Sequence, residues 1–203
     1  MNSTRELQEK ISKMSLIDAI RNHESFEVLR GLIKSGADID AKDDEGQTAL
    51  MIAVEQNVPQ KTLRALIEAG ANINAKDKYG KTALMKVALP NKNLKFLRVL
   101  IESGADVNAK DNEGRTALIL TCSLEAKVAL LPFLKGRIAL ISTTFFKEAI
   151  EPVRLLIEAG ADINAKDNKG RTALMIATEH DRSPEILSIL TEAEQRSAGN
   201  AND

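Results

Sequence analysis

The sequence predicts an all-α solenoid of helix-turn-helix units connected by short β-turn fingers, because three short segments recur along it. The segment Gly-Ala-Asp-Ile-Asp-Ala-Lys-Asp at 36–43 returns in closely similar form from Gly70, Gly104 and Gly160. A second segment, Gly-x-Thr-Ala-Leu, begins at Gly46, Gly80, Gly114 and Gly170, and a third, Leu-Arg-x-Leu-Ile, begins at Leu29, Leu63 and Leu97. In the first two series the first two spacings are 34 residues and the last is 56. Segments that keep one register are the signature of stacked repeats.

Each unit carries the signals of two short helices. The first begins at the Thr of Thr-Ala-Leu, an N-cap residue followed by apolar helix formers. The second has Leu63, Leu66 and Ile67 at i, i+3 and i+4, which gives it one apolar face, and Gly70 supplies the left-handed residue that ends it. Between units, Asp-Lys-Tyr-Gly at 77–80 has the Asp and Gly of a type I turn. Because two helices of about ten residues cannot bury that face alone, the units must stack.

This unit resembles the ankyrin repeat, which reads roughly D-x-x-G-x-T-P-L-H-x-A-A, then a second helix and G-A-x-x-N. The resemblance covers about residues 14–194, and the recurring Asn-Ala-Lys-Asp and Thr-Ala-Leu-Met forms look like those of bacterial ankyrin proteins. The family's Pro is replaced here by Ala49, Ala83, Ala117 and Ala173. The family's His is replaced by Met51, Met85, Ile119 and Met175, so apolar packing is expected where the family has a hydrogen bond between units.

The register predicts a single ankyrin-repeat domain over residues 1–194. We refer to its segments 1–43, 44–77, 78–111, 112–167 and 168–194 as units 1 to 5. In unit 1 a capping box at Ser3 and Glu6 predicts one long capping helix over residues 3–22. In unit 5 the polar Ser188 and Thr191 replace a repeated Arg and Ile, as a terminal cap requires. The tail 195–203 is small and polar and is predicted to be disordered.

Unit 4 contains an apolar insertion of 22 residues at about 127–148, between its two helices. It includes Phe133, Phe145 and Phe146, three of the five Phe residues in the chain. One interpretation is that the first helix extends from Thr116, ends at Pro132, and packs the insertion on the stack with its Phe side chains buried. The alternative is an exposed apolar element that docks on a partner or a membrane surface.

Composition and charge exclude several classes of function. The chain has 28 basic and 29 acidic residues, without the basic excess that nucleic-acid binding usually needs. A single Cys allows no internal disulfide, and the charged N-terminus is not a signal peptide, so we expect a cytoplasmic protein, although a removed signal peptide would leave the same sequence. No transmembrane helix is expected, because Pro132, Lys135 and Arg137 interrupt the apolar insertion.

Motifs for catalysis, metal binding or cofactor binding are also not found. The segment 75–82 nearly matches a phosphate-binding loop, but it lies on a repeated turn and lacks the first Gly. Cys122 occupies a small-residue position of the repeat and is predicted to be a buried, inert thiol. His23 and His180 have no paired ligand at metal spacing. We therefore predict no enzyme activity, no cofactor and no metal.

A solenoid offers an extended surface instead of a pocket, and positions that differ between units are free for recognition. These positions cluster on the turns and are Asp44, Glu45, Gln47, Lys78, Tyr79, Lys81, Asn112, Glu113, Arg115, Asn168, Lys169 and Arg171. The resemblance implies that such turns project as fingers and, with the first helices, bind a partner protein. Tyr79, Arg115 and Arg171 are the predicted anchors, because Tyr and Arg dominate interface energetics. The prediction is a monomeric protein-interaction module, and the alternative is an adaptor that docks through residues 127–148.

Overall fold

A computed structural model describes residues 14–88, 93–123, 150–180 and 182–199 of the 203-residue chain. These residues contain ten helices, which we number in chain order. They are α1 (Leu16–Arg21), α2 (Phe26–Lys34), α3 (Ala49–Glu55), α4 (Gln60–Glu68), α5 (Ala83–Val87), α6 (Leu94–Glu102), α7 (Ala117–Ser123), α8 (which includes residues 150–158), α9 (Ala173–Glu179) and α10 (Pro184–Gly199). One isolated antiparallel bridge joins Lys42 to Thr48, and no strand is found in this part of the chain.

The helices form two layers, as the predicted all-α solenoid requires. The first helices of the units contact one another in the order α1, α3, α5, α7 and α9, and each of α1, α3, α5 and α9 also contacts the helix that follows it. In the second layer, α2 contacts α4 and α4 contacts α6. The core lies between the layers, where Leu50, Leu84, Leu66 and Leu100 are at most 1% exposed. These leucines occupy equivalent positions in successive units, so a single apolar core continues along the stack.

Glycine ends the second helix of each of units 1 to 4, as the sequence predicts. Gly36, Gly70, Gly104 and Gly160 have φ between 83° and 91°, and the Gly70 N–H donates to Ile67 O. The first helices of units 1 and 2 end on His23 and Asn57, which take φ near 53° and 52°. A left-handed residue closes these helix ends and turns the chain into the next helix.

Both ends of the solenoid differ from the sequence-based expectation. The predicted continuous helix over residues 3–22 is wrong, because Ser15 is extended (ψ 162°) and its hydroxyl accepts the Asp18 N–H as the N-cap of α1. The predicted disorder of residues 195–203 is wrong for 195–199, which continue α10 to Gly199. Good helix formers in this segment and the contact of Asn164 with Ser197, described below, account for the extension. Residues 1–13 and 200–203 lie outside the described part.

The stack continues directly across the position of the insertion. Although 26 residues, 124–149, separate Ser123 from the described part of α8, α7 packs against α9. Arg182 reaches back from the loop after α9 and donates from Nε to Cys122 O at 3.1 Å and from Nη2 to Thr121 O at 2.8 Å. Its side chain therefore caps the carbonyl end of α7. The predicted helix end at Pro132 and the side chains of Phe133, Phe145 and Phe146 lie outside the described residues.

Polar side chains join neighbouring units along one edge. Lys42 Nζ donates to Lys76 O at 2.9 Å, Lys76 Nζ donates to Lys110 O at 2.8 Å, and Lys110 Nζ donates to Lys166 O at 3.3 Å. The side chains of Asn74 and Asn108 likewise donate to Gly104 O and Gly160 O. The repeated Asn-Ala-Lys-Asp segment thus satisfies backbone carbonyls of the next unit.

Candidate functional site

Four β-turns form the predicted fingers, which we number by position: finger 1 (residues 43–46), finger 2 (77–80), finger 3 (111–114) and finger 4 (167–170). In finger 2 the Gly80 N–H donates to Asp77 O at 2.9 Å, and Asp77 Oδ1 accepts the N–H groups of Tyr79 and Lys81 at 2.9 Å. Asp43, Asp111 and Asp167 accept the same two backbone bonds in their own fingers. The first Asp of each finger therefore fixes its shape.

The second oxygen of each finger aspartate pairs with a cation, and the cation comes from a different place in different units. Asp111 Oδ2 accepts Nε of Arg115 at 2.9 Å, and Asp167 Oδ2 accepts Nε of Arg171 at 3.0 Å. Fingers 1 and 2 have Gln47 and Lys81 at that position, and their aspartates pair instead with Arg21 of α1 and Lys86 of α5.

These contacts change the acidity of two of the carboxyl groups. Burial acts to raise the pKa of Asp167, but bonds from the Arg171 backbone, the Arg171 guanidinium and the Lys169 N–H outweigh it and lower the pKa below its ordinary value. Burial also acts to raise the pKa of Asp43, but the bonds from the Gln47 N–H and from Arg21 outweigh it and lower the pKa below its ordinary value. Both carboxylates are therefore held charged at neutral pH.

Lys86 is a buried cation on the otherwise apolar α5. Its Nζ lies 2.8 Å from Glu55 Oε1 and 3.0 Å from Asp77 Oδ2. Burial disfavours the ammonium, but the two carboxylates outweigh that cost and raise the pKa of Lys86. This cluster was not predicted from the sequence. A lysine at the position of Ile52 in unit 2 was the signal that could have found it.

The structure places the twelve predicted binding residues along one row of fingers and separates them into two groups. The two residues that follow each Asp are exposed at the tip, and they are Asp44, Glu45, Lys78, Tyr79, Asn112, Glu113, Asn168 and Lys169. The residues after the finger glycines are half-buried at the base, and they are Gln47, Lys81, Arg115 and Arg171. Arg115 and Arg171 thus hold their own finger aspartates, whereas the tips face solvent.

Tyr79 is the most exposed of the predicted anchors, with 53% of its surface accessible. Lys78 Nζ lies 5.0 Å from the centroid of its ring and also forms an ion pair with Glu45 of finger 1. The ion pair with Glu45 raises the pKa of Lys78. An aromatic ring beside a cation and an anion lies at the centre of the finger row.

The fingers are hydrogen-bonded to one another through their backbones. The N–H of Lys78 donates to Glu45 O at 2.9 Å, that of Asn112 donates to Tyr79 O at 3.0 Å, and that of Asn168 donates to Glu113 O at 2.9 Å. The row is therefore preorganised, which reduces the entropy lost when a ligand binds.

The first helices of units 2 to 4, which are α3, α5 and α7, expose little beside the fingers. All residues of α5 are buried, Glu55 is the exposed residue of α3, and Ser123 is the one residue of α7 that is not fully buried. In this part of the chain, the exposed recognition surface lies mostly on the finger tips.

Cys122 has the environment predicted for an inert thiol. It is 1% exposed in α7, and burial raises its pKa to about 12. Among residues 14–88, 93–123, 150–180 and 182–199, no three His, Cys, Asp or Glu side chains form a group that could hold a metal ion. No helix within these ranges is long and apolar enough to span a membrane.

Stacked helix pairs with a row of hydrogen-bonded fingers define the class of this protein as a short-repeat α-solenoid. The family model for ankyrin repeats, built of three copies, matches residues 16–111, 61–134 and 91–202. The chain belongs to the ankyrin repeat family, whose members are generally protein–protein interaction modules. A comparison with curated proteins gave no match.

Proposed function

We propose that this chain is a non-enzymatic module that binds a partner protein through the tips of fingers 1 to 4, with Tyr79 as the central anchor. The observation that carries the proposal is the position of Tyr79: a half-exposed aromatic ring in the middle of a rigid row. Aromatic residues contribute most of the energy in many protein interfaces, and they do so best near the centre. Tyr79 loses little backbone freedom on binding, because its N–H is bonded to Asp77 and its carbonyl accepts the Asn112 N–H of the neighbouring finger.

The charged residues around Tyr79 set the character of the partner surface. Glu45 and Lys78 neutralise each other, whereas Lys81 and Lys169 have no ion pair among the described residues. Arg115 and Arg171 are engaged with Asp111 and Asp167 and therefore stabilise the fingers instead of acting as free anchors. A partner with an apolar spot for the ring and acidic groups beside it fits this arrangement.

Quantitative affinity capture from native host cells tests the proposal with three immobilised forms of the chain: wild type, Tyr79→Ala and Arg64→Ala. Arg64 is the matched control, because it is a large exposed residue on α4, in the second-helix layer. Proteins retained by the wild type and by Arg64→Ala should be lost from Tyr79→Ala, with a loss of about 2 kcal/mol or more in binding energy for a hot spot. Equal retention by all three forms would contradict a role for Tyr79 in partner binding.

A further inference from the structure

The C-terminal end of the solenoid exposes residues that are buried in every earlier unit. Met175 of α9 is 52% exposed, whereas its equivalents Met51 and Met85 are each 1% exposed. Thr178 is also exposed, whereas its equivalent Val54 is buried. We call the surface formed by finger 4 and α9 the end face.

The backbone of finger 4 is also uncovered on the end face. A Cβ added to Gly46 or Gly80 would lie 2.9 Å from Lys78 N or 2.8 Å from Asn112 N of the next finger, but one added to Gly170 meets nothing within 4 Å. The carbonyl of Lys169 is equivalent to those of Glu45, Tyr79 and Glu113, which accept the N–H of the next finger. The end face therefore has the hydrogen-bond acceptor and the space that a further finger would use.

The end face has almost the same chemistry as the face of unit 2 that unit 3 covers. Residues 172–177 and 48–53 have the identical sequence Thr-Ala-Leu-Met-Ile-Ala, and Glu179, which pairs with Arg171 Nη1 at 3.1 Å, stands where Glu55 does. In the covered face, Glu55 pairs with Lys86 from the first helix of unit 3. The interface between units 2 and 3 is therefore an example, within this chain, of what can cover the end face.

Helix α10 continues past the point at which the second helices of units 1 to 4 end. In α4 the helix ends after nine residues and Gly70 turns the chain towards the next finger, whereas α10 continues for sixteen residues. Asn164 Nδ2 donates to Ser197 Oγ at 3.4 Å, where Asn74 and Asn108 donate to a carbonyl of the next unit. Residues 193–199 are therefore helical and do not form a finger over α9.

We propose that the end face docks the finger and first helix of another ankyrin-type unit, supplied by a second polypeptide. The unit would donate a finger N–H to Lys169 O, cover Met175 with an apolar helix and place a cation beside Glu179, as unit 3 does for unit 2. The N-terminal end of another copy of this chain is a poor match. Its α1 has no preceding finger in the described residues, and Leu16 and Ile17 are already buried. The end face shares finger 4 with the finger row but does not include Tyr79 of finger 2, so it does not depend on that residue.

A tethered copy of unit 3 tests the fit on the full-length chain. Residues 75–111 are appended after Asp203 through a flexible Gly/Ser linker of about 20 residues, and oxidation of each Met by hydrogen peroxide is followed by peptide mass spectrometry. In the unextended chain Met175 should oxidise faster than Met51 and Met85, which serve as buried references. An effective concentration of about 1 mM and a dissociation constant of about 0.1 mM would slow Met175 oxidation about tenfold in the tethered protein.

The matched control is the same tether with Ala83→Glu and Leu84→Glu in the appended copy, which removes its apolar helix face. Protection of Met175 by the native copy but not by this control is the expected result. Equal oxidation rates of Met175 with the two tethers would overturn the proposal. Protection that grows with the concentration of the unextended chain, together with dimers in sedimentation velocity, would also overturn it, because a second copy would then occupy the end face.

Discussion

Arg171 and Asp167 are bound to each other within finger 4: Nε and Nη2 of the arginine lie 3.0 and 2.8 Å from Asp167 Oδ2. The pair sits four residues apart at the base of the turn, and the aspartate side chain is 3% exposed. One residue that the sequence suggested for partner recognition therefore holds the shape of its own finger. Arg115 and Asp111 make the same pair in finger 3.

Replacing Asp167 by Asn should reduce stability in a pH-dependent way. The folded pKa of Asp167 is below its ordinary value, so its contribution to stability is fully present above the unfolded pKa of about 4 and is lost as pH falls through the folded pKa. Asparagine keeps an oxygen for the backbone bonds but cannot form the ion pair with Arg171. The difference in urea midpoint between wild type and variant should therefore be largest near neutral pH and shrink below about pH 4.

Asp44→Asn is the control for that experiment, because Asp44 is exposed at a finger tip. Its urea midpoint should follow the wild type at every pH. A constant difference between Asp167→Asn and wild type from neutral to acidic pH would mean that the charge of Asp167 does not stabilise the fold.

Lys86→Met should destabilise the protein by about 1–3 kcal/mol, the usual cost of leaving a buried polar group without its partner. The substitution leaves Asp77 Oδ2, on a side chain that is 1% exposed, without its cation. Lys81→Met, at the half-buried base of the same finger, should cost less than about 0.5 kcal/mol. Urea denaturation of both variants measures the difference, and equal losses would show that the pairs made by Lys86 are not stabilising.

Leu66→Ala should cost about 2–4 kcal/mol, because Leu66 is fully buried between neighbouring units and its truncation leaves a cavity. Tyr79→Ala should cost less than about 1 kcal/mol, because about half of the residue is exposed to solvent. Urea melts of the two variants test the assignment of core and surface. It is wrong if Tyr79→Ala loses as much stability as Leu66→Ala.

The sequence was sufficient to predict the stack because its evidence is periodic. Gly70 and Leu66 recur at fixed spacing, and each has a local physical reason that the structure confirms in a left-handed φ and in full burial. The chain ends follow no repeat, and there the predictions failed: Ser15 starts a new helix, and Ser197 lies in a helix held by Asn164. The bond from Asn164 to Ser197 joins residues far apart in sequence, which periodicity does not reveal, whereas the cap of Ser15 on Asp18 is local but lies outside the repeat.

The sequence indicated which residues lie on the fingers, but it did not indicate which of them hold the finger together and which face solvent. Comparing units identified the variable turn residues, and the exposure of Tyr79 agrees with that choice. The cation that pairs with the finger aspartate could not be predicted from the sequence for fingers 1 and 2. Asp43 and Asp77 pair with Arg21 and Lys86, whose proximity is created by the fold.

Cys122 should resist thiol reagents in the folded protein. The thiolate is the reactive form, and burial raises the pKa of Cys122 to about 12, so little thiolate exists at neutral pH. The rate of labelling by a disulfide reagent should be limited by unfolding and should rise sharply in urea. Rapid stoichiometric labelling in native buffer would contradict the buried position of this thiol.

Deleting residues 127–148 should give a protein that still folds cooperatively. The deletion restores the length that other units have, and α7 already packs on α9, with Arg182 capping its end. Circular dichroism and urea denaturation measure the outcome. Binding to a partner captured through Tyr79 should persist, since the fingers are untouched.

The alternative, in which the apolar insertion itself docks, gives a different pattern. Partner binding would then fall steeply on deletion while stability stays level or rises. Loss of cooperative folding would instead mean that residues 127–148 are part of the packed core.

The direct packing of α7 on α9 joins units 4 and 5 by a route that does not pass through the chain after Ser123. A force applied along the solenoid axis would load the interfaces between successive first helices and the bond from Asn168 N to Glu113 O. We therefore expect that chain can be added or removed after Ser123 without altering the spacing of fingers 3 and 4. A fluorescent domain grafted at this point should report on the protein without disturbing the register of its finger row.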